Sequence, residues 1–272
     1  MPLILGTDEE CGSSDIRHYY SIEKEAPMTF SPDAEYPLVN TEKGRFPGHF
    51  TAGFEASDAL PRLVSIKAGT KVNVVPGKAK AAVEEMAALE KAAAETKEET
   101  GISFEFAAEG TVTDITATGI GAHASTPDVG NNALTGLLVF LGKLDFASCP
   151  QVDMVRKTAS LFPHGDVNGK TLGVAMEDEL SGNLTLSFNM LTVDAASMDG
   201  EFDGRIPVCG NDENVLEVVR ARMAEQGLTL LNKALIPPHH VSADSYFVKT
   251  LLAAFELYTG RKGECQALGG GP

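Results

Sequence analysis

"PGKAKAAVEEMAALEKAAAETKEETG", residues 76–101, is the stretch on which the fold turns. It opens on Pro76, keeps its apolar residues near a 3.6 spacing and closes on Gly101, a pattern that predicts one helix over the whole block. Strand-like sequence lies on either side. A strand-rich stretch runs from Gly48 to Val75, and two further strands are predicted over Ile102 to Ala107 and Gly110 to Thr118. Further out the alternation continues. Helices are expected over Asn132 to Leu144, Val152 to Phe162, Glu213 to Gln226 and Tyr246 to Tyr258. Strands are expected around Gly182 to Val193, Gly204 to Val208 and in "LTLLNKALIPP". Toward the N-terminus, Ser14 to Glu25 reads as a short helix and Tyr36 to Asn40 as a strand. Strand pairs interleaved with helices in this way predict an α+β layer, an antiparallel sheet with helices on one face. The alternation is unbroken from about Gly44 to Pro238, so that block is expected to form one module, with the two ends of the chain belonging together as a separate unit.

Composition limits what such a chain can do. At 272 residues and 43% hydrophobic it can bury a sizeable core, and a net charge of −16 argues against nucleic acid or an anionic membrane as partner. No apolar run is long enough to cross a bilayer and no basic flank precedes an apolar N-terminal region, so a cytoplasmic location is expected. Cys11, Cys149, Cys209 and Cys265 are scattered with no CxxC pair, which fits reduced thiols better than a disulfide frame or a zinc knuckle.

Three stretches carry candidate chemistry. In "MPLILGTDEECGSSD", residues 1–15, Asp8, Glu9 and Glu10 are consecutive acids at the end of a β-type run. They read either as a solvated strand end before a helix capped by Ser13 or Ser14, or as a metal site with a carboxylate base beside it. In "GIGAHASTPDVGNNA", residues 119–133, small residues surround His123, which is either an idle loop histidine or one left open to a ligand. In "GRIPVCGNDENV", residues 204–215, Arg205 sits in an apolar strand and needs an anionic partner, from the protein or from a ligand.

"LGTDEECGSSD", "FSPDAEYPLVNTEKG", "KVNVVPGKA", "GIGAHASTPDVGNNA", "FDGRIPV" and "HHVSADSYFVKTLLAAFELYTGRKGECQALGGG" together resemble, in the same order, successive blocks of the co-catalytic zinc dipeptidases. The nearer relatives in that group are PepV, the Xaa-His dipeptidases and carnosinase; aminoacylase and succinyl-diaminopimelate desuccinylase are more distant. The resemblance implies an antiparallel-sheet lid over residues 44–238, inserted in parts of an α/β zinc-peptidase catalytic domain at 1–43 and 239–272. It implies Glu9 as general base, Glu10 and Asp33 as carboxylate ligands of two zinc ions, and Asn73, His123 and Arg205 as lid residues for the oxyanion and the substrate carboxylate. Gly269, Gly270 and Gly271 match a glycine-rich loop near the substrate's C-terminal end. The implied reaction is hydrolysis of dipeptides or small peptides by a metal-activated water. Zinc is the expected ion, with manganese or cobalt as the other candidates, and a monomer is expected over a dimer.

The family pattern also has an HxD block and a bridging aspartate upstream of the Glu-Glu pair, and a histidine ligand after the glycine-rich loop. These have no match here, and a chain short of those ligands is expected to be inactive by itself. The HxD at His164-Gly165-Asp166 lies inside the lid region and is expected to be a turn, while His239 and His240 are expected at a hinge. Two other readings stay open: a non-catalytic lid module that at most binds peptide or metal, and an aminoacylase- or desuccinylase-type amidohydrolase.

Overall fold

A computed structural model describes residues 3–8, 13–32 and 35–269. In chain order the elements are α1 (Ser14–Ile22), β1 (Leu38–Glu42), β2 (Gly44–Gly53), β3 (Arg62–Ala68), β4 (Val74–Val75) and β5 (Lys78–Glu84). There follow α2 (Leu89–Thr100), β6 (Ser103–Glu109), β7 (Val112–Thr118), β8 (Ala122–His123), α3 (Ala133–Gly142) and α4 (Pro150–Leu161). The chain continues through β9 (Glu177–Asp178), β10 (Gly182–Asn183), β11 (Thr185–Val193), β12 (Ser197–Ile206) and α5 (Glu217–Glu225). Last come β13 (Thr229–Leu230), β14 (His239–His240), α6 (Tyr246–Thr259) and β15 (Cys265–Leu268).

The chain divides into two units, one of residues 39–243 with 265–272 and one of residues 1–38 with 244–264. The larger is built on an antiparallel eight-stranded sheet in the order β13-β2-β12-β11-β3-β5-β7-β6. It is the expected α+β layer: α3 packs on β5, β7 and β11, with α2 and α4 against α3. The lid expected over residues 44–238 falls inside this unit, which also takes in residues 39–43, 239–243 and 265–272. These outer pieces hold the three-stranded sheet β14-β1-β15, and His240 bonds Thr41 Oγ1 through Nδ1 at 2.9 Å.

Alternation along the central strands explains which face is covered. On β2, Phe46, Gly48 and Phe50 are buried while Arg45, Pro47, His49 and Thr51 are not. Gly48 is paired with Phe202 and Gly200 with Phe50, and a Cβ on either glycine would stand 2.0 or 2.3 Å from the opposing ring. The missing side chains leave room for rings to lie across the sheet. Phe162, just beyond α4, then stacks on Phe188 and Phe50 with centroids 4.4 and 5.8 Å apart. α3, "ALTGLLVFLG", is apolar almost all round because sheet and helices enclose it. Asn132 starts it, its Oδ1 accepting the Leu134 and Thr135 N–H groups while its Nδ2 donates to the Phe188 carbonyl.

The helix predicted over 76–101 is the main correction. Residues 78–84 are instead β5, with Lys78 and Lys80 exposed and Ala79, Ala81 and Val83 buried. Pairing with β3 on one side and β7 on the other, with α3 packed above, overrides the helix preference of an alanine-rich stretch. The helix proper begins only at Leu89, after Glu85 and Ala88 take positive φ, and Gly101 closes it at φ 74°. Smaller differences share this origin. The helix read over Glu213 to Gln226 opens as a π-turn, Asp212–Leu216, and β12 starts earlier than the sequence indicated, at Ser197. Of "LTLLNKALIPP" only Thr229–Leu230 is strand, since the Asn232 side chain turns back to bond the His49 N–H and the Pro47 carbonyl.

The smaller unit holds α1 and α6, where Val248 is the buried residue of α6. Phe30 lies against Phe247 and Tyr36 stacks on Phe255, with centroids 6.5 and 6.4 Å apart. No helix among the described residues is long and apolar enough to cross a membrane.

Candidate functional site

Several polar side chains meet where β11 and β12 run side by side, on the face of the sheet turned away from Phe46 and Phe50. Arg205 and Asp203 are two residues apart on β12 and therefore share a face. The guanidinium grips the carboxylate with a fork, Nε to Oδ1 at 2.9 Å and Nη2 to Oδ2 at 3.1 Å. The Asp203 side chain is only 1% exposed and that of Arg205 13%. Burial pushes the Asp203 carboxyl above its ordinary value, and Arg205, Arg45 and His123 pull it back only in part. The anion that an arginine in this strand required is thus an intraprotein one. Arg45 stands directly opposite Arg205 across the β2–β12 pair, so two guanidinium groups flank a single carboxylate. Thr185, opposite Arg205 on β11, carries a buried hydroxyl with no hydrogen-bond partner among the described residues.

Asn73 and His123 are brought to the same region by the β4–β8 ladder, in which Val74 pairs with His123. The Asn73 carbonyl accepts the Ala124 N–H at 3.0 Å. The Val72 carbonyl in turn takes Nδ2 of Asn189, a buried residue at the bulge of β11. That contact anchors the turn bearing Asn73 to the strand beside Arg205. His123 is exposed, and its Nδ1 accepts the Ser125 N–H at 3.2 Å and meets Ser125 Oγ at 2.7 Å. A backbone N–H can only donate, so Nδ1 carries the lone pair in the neutral ring and Nε2 carries the proton. The outcome is a positively biased patch with a ring N–H free to donate, in a chain of net charge −16. Asp203, Arg45 and Thr185 were not singled out from sequence. The one local signal was alternation in "FDGRI", which puts Asp203 and Arg205 on one face.

Glu9, Glu10, Asp33, Gly270 and Gly271 lie outside the described residues. Gly269 is described, with φ 85° and a Cβ position 3.5 Å from the Lys43 side chain. In front of α1 neither serine side chain caps the helix. The Asp8 carboxylate accepts the Ser14 N–H at 2.8 Å, and Asp15 accepts the N–H groups of Thr7 and Ile16. Acids at this terminus therefore act as its caps, with Thr7 leading the contacts that hold the Asp15 carboxyl below its usual range.

His164 and Asp166 behave as a turn. His164 Nδ1 meets Thr135 Oγ1 at 2.8 Å, and burial holds its pKa down. Asp166 accepts the N–H groups of Asn168, Lys170 and Thr171, the arrangement of a loop-closing aspartate. Cys149, Cys209 and Cys265 are free thiols.

Comparison with known proteins gives a consistent set of relatives. The chain is 34% identical over 281 aligned residues to a Bacillus subtilis (strain 168) protein described as "Putative dipeptidase YtjP", covering 99% of this chain and 58% of that one. It is 30% identical over 271 residues to a Beta-Ala-Xaa dipeptidase of Lactobacillus delbrueckii subsp. lactis, covering 98% and 57%. The chain thus spans under three fifths of the length of these relatives. Among solved structures, an aminoacylhistidine dipeptidase from Vibrio alginolyticus matches at 13% identity and a TM-score of 0.43, over 90% of this chain and 58% of that one. No protein-family model matches the sequence.

Proposed function

We propose, on the premise that the chain belongs by homology with the PepV-like dipeptidases, that it serves metal-dependent hydrolysis of dipeptides and contributes the lid that holds the substrate. The observation that carries this reading is the patch of Arg205, Arg45 and Asp203 with His123 beside it. Asp203 occupies one fork of Arg205 and holds the guanidinium still, and the second arginine leaves the patch with spare positive charge for a free peptide carboxylate. Nε2–H of His123 donates to the carbonyl oxygen as negative charge builds on it, a contribution of about 3 kcal/mol for a preorganised donor. Asn73, carried on the turn beside it, offers an amide to the same end. Glu10 and Asp33 would hold a metal as carboxylate ligands, the bound ion would supply a polarised water at neutral pH, and Glu9 would take the proton from it. Zinc suits this role, in a cytoplasmic setting consistent with free thiols.

The test needs no turnover. Calorimetric titration of the chain with a dipeptide and with its C-terminal amide should show the free carboxylate form binding about tenfold tighter, with the preference lost in Arg205→Met. Equal binding of both forms by the unaltered chain would overturn the reading.

A further inference from the structure

One cluster on the open face of the sheet plays no part in that reading. His49 on β2 stands directly opposite Glu201 on β12, and Asp199 lies two residues along β12 on the same face. The ring and both carboxylates converge, one ligand atom from each lying within 4.8 Å of the others. His49 Nε2 is 2.8 Å from Asp199 Oδ2. Glu201 is half-buried, and among the described residues it makes no hydrogen bond or ion pair. Two carboxylates held this close repel, and among the described residues no lysine or arginine pairs with either of them.

The backbone beneath the cluster is fixed from both sides. The His49 N–H donates to Asn232 Oδ1 at 2.8 Å, and the His49 carbonyl accepts the Leu231 N–H at 2.8 Å. β2 and β12 pair without a break from Gly44–Ile206 to Gly53–Ser197, so the three Cβ directions are set before any ion arrives. Preset directions lower the ordering cost of binding.

We propose that His49, Asp199 and Glu201 form a binding site for one divalent cation of the zinc type. One imidazole nitrogen and two carboxylate oxygens make the protein side of the coordination sphere, and water fills the open positions toward solvent. The mixed nitrogen and oxygen donor set favours zinc, manganese or cobalt over calcium, which takes six to eight oxygens. His49 binds through Nε2, so the ion takes the place of the present His49–Asp199 hydrogen bond and lies between the two acids. The site rests on the larger unit alone and stands whether or not the dipeptidase reading does.

The experiment titrates zinc into the chelator-stripped 272-residue chain by calorimetry, with cobalt as an absorbing probe of nitrogen ligation. One zinc equivalent is expected to weaken by about tenfold or more in His49→Ala and in Glu201→Gln, and to survive in Glu10→Gln. The cobalt spectrum should change in His49→Ala only at that equivalent. Zinc binding unchanged in both His49→Ala and Glu201→Gln would overturn the site, as would the absence of any zinc binding. Should His49→Ala fail to fold, Glu201→Gln keeps the side-chain volume and decides the question.

Discussion

Asp203 shows how one side chain can set up another. Its carboxylate is almost wholly enclosed and gripped by Arg205 in a fork, so removing its charge leaves a guanidinium with poor access to water. Asp203→Asn should lower stability by about 3 kcal/mol, read as a fall in the urea midpoint at unchanged slope. Asp203→Asn combined with Arg205→Met should cost less than the sum of the single changes, because the pair is one unit. Asp166 gives a prediction in pH. Burial raises its carboxyl, but the N–H groups of Thr171, Lys170 and Asn168 outweigh that and bring it below the ordinary 3.8. A depressed folded-state value means that the stabilisation is present above pH 3.8 and is lost as pH falls through the lower folded value. Asp166→Asn should therefore be less stable at neutral pH yet show a flatter loss in the acid limb below about pH 4, checked by thermal melts across that range.

At the level of single elements, α3 depends on one cap and one tight contact. Asn132→Ala removes the acceptor for two N–H groups and the donor to the Phe188 carbonyl, and should cost about 2 kcal/mol by denaturant titration. Gly136→Ala sets propensity against packing. Alanine gains about 1 kcal/mol in a helix interior, but its Cβ would sit 2.3 Å from Ile102 Cγ1, and Ile102 is fully buried with no room to yield. Packing wins, and the melting temperature should fall. β5 shows the same contest at the level of the strand. Its alanines and lysines favour a helix in isolation, yet Lys78, Lys80 and the buried residues between them also alternate with period two. Only the vacancy between β3 and β7 decides which period is used.

Across the whole molecule the two units differ in how much they bury. The larger one holds the aromatic and aliphatic core around Phe46, Phe50, Phe140 and Phe202, whereas in the smaller one Leu257 and Tyr258 are 78% and 86% exposed. Amide hydrogen exchange should therefore be slow along β12, β11 and α3 and fast along α1 and α6; equal protection in both would contradict the division. In any preparation of this protein that cleaves dipeptides, Glu9→Gln should cut turnover by orders of magnitude while leaving bound metal in place. Loss of a metal equivalent with mild loss of rate would make Glu9 a ligand.

The sequence by itself determined the strand pair at 103–118, the start of α3 and the turn at Asp166, because each rests on contacts between near neighbours in the chain, and the order of strands and helices set the layered α+β class. It also made Arg205 a residue that must find an anion. Alternation in "FDGRI" set Asp203 and Arg205 on one face, but tertiary structure alone decided that Arg45 stands across from Arg205 and that His49 faces Glu201 from a strand 150 residues away in sequence from Asp199. Strand register fixes these cross-strand pairs, and register follows from burying the alternate residues Phe46, Gly48, Phe50 and Phe202, Gly200 against one another. No local pattern carries that information.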